Sequence, residues 1–266
     1  MIEIKDRVTG PTAIVCCPAR ALPKEPGSVF LRPTLGTLQP FGVKMLLDPL
    51  NTRVVTDQLC DGEDHSASLH HAPILYMSQN VHLWGTSTGA PLSIRYAARY
   101  PQRVKSLITY PSFKAGVASR KMFQVFLDIT EIFGYEALAR FTAWIGCADQ
   151  NVFSQVGNDI ATFEAEAFKK NFSIESLAKT LEVFTQIDLT SDLEKIKVPT
   201  LILLGDSGKL GGKTASMIEA IRVFRMHCPQ SQVVQITDGG GTYCMIEKPQ
   251  ESAQVVRTFI KSLSER

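Results

Sequence analysis

The chain has 266 residues and 29.3 kDa, with 28 Lys+Arg against 26 Asp+Glu and a formal charge of +2. Apolar residues make up 44%, charged residues 20%, and mean hydropathy is +0.02, which excludes a disordered chain, a collagen-like repeat and a coiled coil. The near-neutral balance gives no electrostatic reason to expect nucleic acid or an anionic membrane as a partner.

In chain order, Thr12–Cys17 (TAIVCC) is a β-branched apolar run stopped by Pro18, which reads as a buried strand. Residues 18–40 carry five prolines and read as a long connection. Arg53–Thr56 (RVVT) reads as a second strand, closed by the polar loop Asp57–Asp64, and Val81–Trp84 (VHLW) as a third. Ala90–Tyr100 has helical spacing, with Pro91 in its first turn and Pro101 just past its end. Val104–Tyr110, Pro199–Leu204 and Gln232–Ile236 are further strands, the last two separated by the helical stretch Ala215–Arg225. Gln250–Leu263 closes the chain as an amphipathic helix.

Apolar strands alternating with helices predict an α/β fold, a mostly parallel sheet with helices on both faces. The alternation stops between residues 114 and 190, a stretch of helical patterns (Lys121–Ile145, Thr162–Lys170, Ile174–Ile187) that holds nine of the fourteen phenylalanines. That stretch is expected to be an all-helical cap over the carboxyl edge of a core formed by residues 1–113 and 191–266. Ligands of open α/β sheets bind at that edge. The cap aromatics read first as its own core and second as pocket lining.

The six cysteines, at 16, 17, 60, 147, 228 and 244, have no zinc or haem spacing, and a chain of this size needs no disulfide scaffold. No metal or organic cofactor is implied. The N-terminus lacks the apolar segment of a signal peptide, and no apolar stretch reaches about 18 residues. The expectation is a cytoplasmic protein with a small-molecule substrate or ligand and no membrane partner.

Gly85-Thr86-Ser87-Thr88-Gly89 fits G-x-S-x-G between a strand and a helix, as a nucleophile elbow requires. The bare pattern arises by chance in roughly one such chain in ten, so its context matters. The following APLSIRYAARYPQRVKSLITYPSF, the later LEKIKVPTLILLGD and the tail DGGGTYCMIEKPQESAQVVRTFIKSL resemble the corresponding segments of the α/β-hydrolase superfamily. The resemblance implies that fold across nearly the whole chain, with Ser87 as nucleophile and the N–H of Thr88 in the oxyanion hole.

The other triad positions depart from the family pattern. Members carry G-H-x-x-x-x-E-x-P near the end, and alignment on Glu247 and Pro249 puts Thr242 where the general-base His belongs. The acid position, G-x-x-D after its strand, falls on Gly208, with Asp206 two residues early. The H-G that helps form the oxyanion hole is replaced by Cys17-Pro18, and proline has no N–H, which leaves Ala19 or Arg20 to donate. Loss of a triad base lowers kcat by around 10⁶, leaving about 10³–10⁴ over water. Of the five histidines, His65 lies at the rim of the family's active site and is the candidate replacement. His82 reads as a core residue, His70 and His71 as the start of a helix, and His227 as remote from the site. Tyr243 and Cys244 flank the vacant position, as hydrogen-bond donors or as packing of the loop.

Three functions compete. The first is an enzyme that binds a small apolar or aromatic carbonyl or ester substrate, with Ser87 and a non-standard hydrolytic, acyl-transfer or lyase/cyclase-type mechanism. The second is a catalytically silent binding or adaptor protein. The maspardin family keeps the elbow serine without the histidine, and the N-myc downstream-regulated family carries a G-D-S-type turn similar to Gly205-Asp206-Ser207. The third is a nucleotide binder, since Ser207 to Thr214 nearly fits the phosphate loop G-x-x-x-x-G-K-[ST]. The enzyme is preferred because a strained elbow with an exposed serine has little use in a scaffold.

Overall fold

The computed structural model describes residues 12–17, 44–49, 81–87, 89–114 and 116–264. Among the described residues six strands form one sheet: β1 Thr12–Cys17, β2 Lys44–Pro49, β3 Val81–Gly85, β4 Val104–Thr109, β5 Thr200–Ser207 and β6 Ser231–Gly240. Their order is β2-β1-β3-β4-β5-β6, and every pair is parallel. The chain adds β2 to one side of β1, then crosses to the other side and continues from β3 to β6. The reversal falls between β1 and β3. At such a point the connections diverge and leave a crevice outside the carboxyl ends of the strands.

The helices are α1 Gly89–Arg99, α2 Val117–Gly146, α3 Asn158–Asn171, α4 Ile174–Gln186, α5 Ala215–His227 and α6 Pro249–Ser264. Successive strand side chains point to opposite faces, and the sheet divides its apolar residues accordingly. Leu83, Leu107, Ile202 and Leu204 pack with Leu92 and Ile94 of α1 and Phe224 of α5. Trp84, Ile108, Leu201 and Leu203 pack on the other face with Ala253, Val256 and Phe259 of α6. Coverage on both faces explains why β5 is a nearly continuous apolar run, since all but its last residue is buried.

Between β4 and β5 the chain is helical, and α2, broken at Gly134 (φ 80°), packs against α3 and α4. An isolated bridge and a 2.7 Å ion pair between Lys114 and Asp188 tie the two ends of this insertion together. Phe123, Phe126, Phe168 and Phe172 pack against Leu138, Leu177 and Leu181, so these rings form the insertion's own core. No helix among the described residues is long and apolar enough to cross a membrane.

Strand β2 was not expected from the sequence. The sheet takes up Lys44–Pro49, while the strand expected at Arg53–Thr56 lies outside the described residues. The apolar run of β2, Met45–Leu47, is only three residues long and has no β-branched residue, a weak strand signal that pairing with β1 overrides.

Leu107→Ala removes a fully buried side chain from the sheet centre and is expected to lower unfolding stability by about 2–5 kcal/mol. Ile218→Ala on the exposed side of α5 should stay within about 0.5 kcal/mol of the parent. Urea unfolding of both variants checks the assignment.

Candidate active site

Ser87 stands at the carboxyl end of β3, at the sheet's switch point, and takes a left-handed backbone with φ 51°. The turn is closed by Gly89 N–H donating to Thr86 O at 2.8 Å and Ala90 N–H donating to Ser87 O at 3.1 Å, after which α1 begins. A non-glycine residue held this way stores roughly 1–3 kcal/mol of strain. Gly85 makes the turn possible: a Cβ there would lie 2.5 Å from Gly89 O and run into the Ser93 side chain. Ser93 is itself buried, with its hydroxyl on Ala90 O at 2.8 Å. Ser87 is half-buried at the head of α1, a place where backbone dipoles favour developing negative charge. Thr88, Ala19, Arg20 and His65, the other residues assigned to this end of the sheet, lie outside the described residues.

Asp206 is buried near the end of β5, and both carboxylate oxygens are engaged. Oδ1 accepts from the Ser207 hydroxyl at 2.6 Å and from Asp238 N–H at 2.9 Å, and Oδ2 pairs with Lys213 Nζ at 2.8 Å. Burial raises the carboxyl, but these three donors and the Lys213 charge outweigh it and hold Asp206 below the usual carboxylate value. The same network disposes of the phosphate-loop likeness. Gly212 N–H donates to Gly205 O, Lys213 N–H donates to Asp206 O, and the Lys213 ammonium sits on Asp206. Those groups bind the protein's own turn and are not turned towards a phosphate.

Thr242 lies half-buried in the turn that follows β6. Strands β3 and β6 are three spacings apart, about 14 Å, with β4 and β5 between them. The neighbouring Tyr243 packs against the helical insertion, its ring on Gly146, and its hydroxyl donates to the buried carboxylate of Glu164 on α3. Glu164 also accepts from the Thr142 hydroxyl at 2.5 Å. Glu247 accepts Ala148 N–H at 3.0 Å and Gly240 N–H at 2.5 Å, while burial raises its carboxyl above the usual value. Burial likewise pushes the Cys147 and Cys244 thiols up to about 12, so neither is a ready nucleophile at neutral pH.

Sequence reasoning passed over Glu164 and used Glu247 only for alignment. The signal for Glu164 was present: it interrupts the apolar stripe Ile160, Ala161, Ala165 and Phe168 on α3. A carboxylate on a buried helix face needs donors from another element. Among the described residues no group of three or more His, Cys, Asp and Glu is placed to hold a metal ion.

The two described histidines are not at Ser87. His227 ends α5 and meets Glu194 at 2.9 Å, beside the loop that leads into β5. His82 is buried on β3, with Nδ1 2.8 Å from the Ser106 hydroxyl on β4. Burial, reinforced by the Lys105 charge, lowers the imidazole to about 4. The unfolded imidazole binds its proton near pH 6.5, so acidification from there to about pH 4 favours the unfolded chain by up to about 3 kcal/mol. His82→Gln keeps a partner for Ser106 without a titrating group. It is expected to flatten the pH dependence of the unfolding midpoint across that window, as measured by denaturant titration at several pH values.

No family model matches the chain. It is 24% identical over 196 residues to "Lipase 1" of Psychrobacter immobilis, a match covering 69% of this chain and 56% of that protein. It is also 24% identical over 182 residues to "Pyrrolizixenacetamide deacetylase" of Xenorhabdus hominickii, covering 68% of this chain and 65% of the other. The chain thus spans less than two thirds of either relative. Among solved structures, the bromoperoxidase from Bacillus anthracis superposes with a TM-score of 0.72 at 16% identity, covering 95% of this chain and 92% of its own. The parallel strand order, the serine elbow after β3 and this superposition agree: the chain has the α/β-hydrolase fold.

Proposed function

We propose that the protein is an enzyme acting on a small, apolar or aromatic carbonyl or ester substrate held beneath the helical insertion, with Ser87 as its reactive centre. The observation that carries this reading is the left-handed Ser87 backbone at the switch point of the sheet. The turn keeps its strain, its close-packed Gly85 and its position at the head of α1. Relatives named a lipase and a deacetylase support acyl chemistry as the reaction class.

In this reading Ser87 Oγ attacks the substrate carbonyl, and the oxyanion is held by the N–H of Thr88 with that of Ala19 or Arg20. The serine proton passes to His65 or to a basic group on the substrate. Leaving-group departure then gives an acyl-enzyme for hydrolysis or transfer. In the non-covalent variant the same donors polarise a carbonyl for lyase- or cyclase-type chemistry, and Ser87 only orients it. Asp206, Thr242 and Tyr243 serve the closing loop, not proton transfer.

One observation favours the second reading, a catalytically silent binding or adaptor protein resembling maspardin. Both Asp206 oxygens and the Tyr243 hydroxyl are committed to structural partners.

A fluorophosphonate probe separates these readings. The parent chain is expected to gain the mass of one phosphonyl group as fluoride leaves, and Ser87→Ala to gain none. His65→Gln should slow labelling by about 10²-fold or more, the contribution of a general base. An unchanged rate in that variant removes His65 from the mechanism. Absence of labelling in the parent chain ends the nucleophile reading, and failure to bind aryl esters as well leaves the adaptor.

A further inference from the structure

The helical insertion meets the carboxyl ends of β5 and β6 at the corner Gly146–Ala148, where the chain leaves α2. Contact there is backbone to backbone. A Cβ on Gly240 would stand 2.7 Å from Ala148 N and against Gly146 O. A Cβ on Gly208 would stand 2.5 Å from Cys147 O and 3.3 Å from Ala148 Cα, and Gly208 has φ +77°. Real side chains do not occupy such positions without moving backbone. Gly208 is also the position at which the family pattern places the catalytic acid.

Two carboxylates close this contact from opposite sides. Glu247, just after the closing loop, reaches across to Ala148 N–H in the insertion while holding Gly240 N–H in its own strand. Glu164, in the insertion, reaches back to the Tyr243 hydroxyl in the closing loop while holding Thr142. Each carboxylate therefore joins one partner on its own side to one on the other. Lys209, next to Gly208, adds a third tie by lying 3.6 Å from the centre of the Trp144 ring. An ionised carboxylate is acceptor-only, which suits a seat lined by donors. A glutamine at 247 would keep one acceptor and turn an N–H towards an N–H.

We infer that the Gly146–Ala148 corner is latched onto β5 and β6 as a fixed part of the site and fills the seat of the triad's acid. The missing His–Asp pair is then more than two substitutions away. An aspartate at 208 meets a backbone carbonyl, and the turn bearing Thr242 is held towards α3 by Tyr243. Proton transfer at Ser87 has to be supplied from the β1–β3 side or by the substrate. This last consequence rests on the proposed role of Ser87, but the latch itself does not.

Amide hydrogen exchange on the full chain tests the latch without using activity. The amides of Ala148 and Gly240 are expected to exchange as slowly as those at the centre of β4. Glu247→Gln should speed those two by about tenfold or more while leaving β4 unchanged. Exchange at Ala148 and Gly240 as fast as in an unprotected loop overturns the inference, whatever Ser87 does. Gly208→Asp/Thr242→His provides the second arm. The inference expects lower thermal stability than the parent and no gain in fluorophosphonate labelling or ester turnover. A folded double variant that labels or turns over faster than the parent overturns it, and one that fails to fold leaves the decision to the exchange measurement.

Discussion

Parallel pairing sends the carboxyl ends of all six strands to one edge of the sheet, and most of what this protein can do follows from that. Each return to the amino edge needs a crossover, which supplies the helices on both faces and the two apolar cores. Reversal of the strand order between β1 and β3 opens the edge at one place. Ser87 is there, on the strand whose crossover begins at once with α1.

The edge is used unevenly. At β3 the chain holds a strained, half-buried serine with a helix behind it. At the ends of β5 and β6 backbone is pressed on backbone, and the buried carboxylates are paired. Asp206 holds Lys213, Ser207 and the Asp238 amide, and Glu164 and Glu247 join the insertion to the closing loop. Burial explains the division of labour. A carboxylate in a dry interface is stable only with donors around it, and a carboxylate so surrounded is not free to orient an imidazole.

Long apolar periodicity made most elements legible in the sequence. TAIVCC, VHLW and PTLILL mark three of the strands, and the alternation of facing residues along β3, β4 and β5 divides them between two cores as the pleat requires. The second strand was not legible, because Lys44–Pro49 has little β-propensity and owes its form to the neighbouring β1. The phosphate-loop likeness was misleading for a related reason. Spacing places Gly212 and Lys213 correctly, but spacing does not say that their N–H groups are already donated to Gly205 and Asp206.

The sequence by itself determined the fold class, the serine elbow and the lack of a histidine after His227. These depend on residue type and local spacing, and both can be read along a chain. Only the tertiary structure decided what Gly208 and Tyr243 pack against. Whether Gly208 faces open space or the carbonyl of Cys147, and whether Tyr243 faces Ser87 or Glu164, depends on how segments more than 50 residues apart pack together. Contact at that range leaves no periodic trace, so the close approach of Cys147 to Gly208 became visible only once the insertion was seen against the ends of β5 and β6.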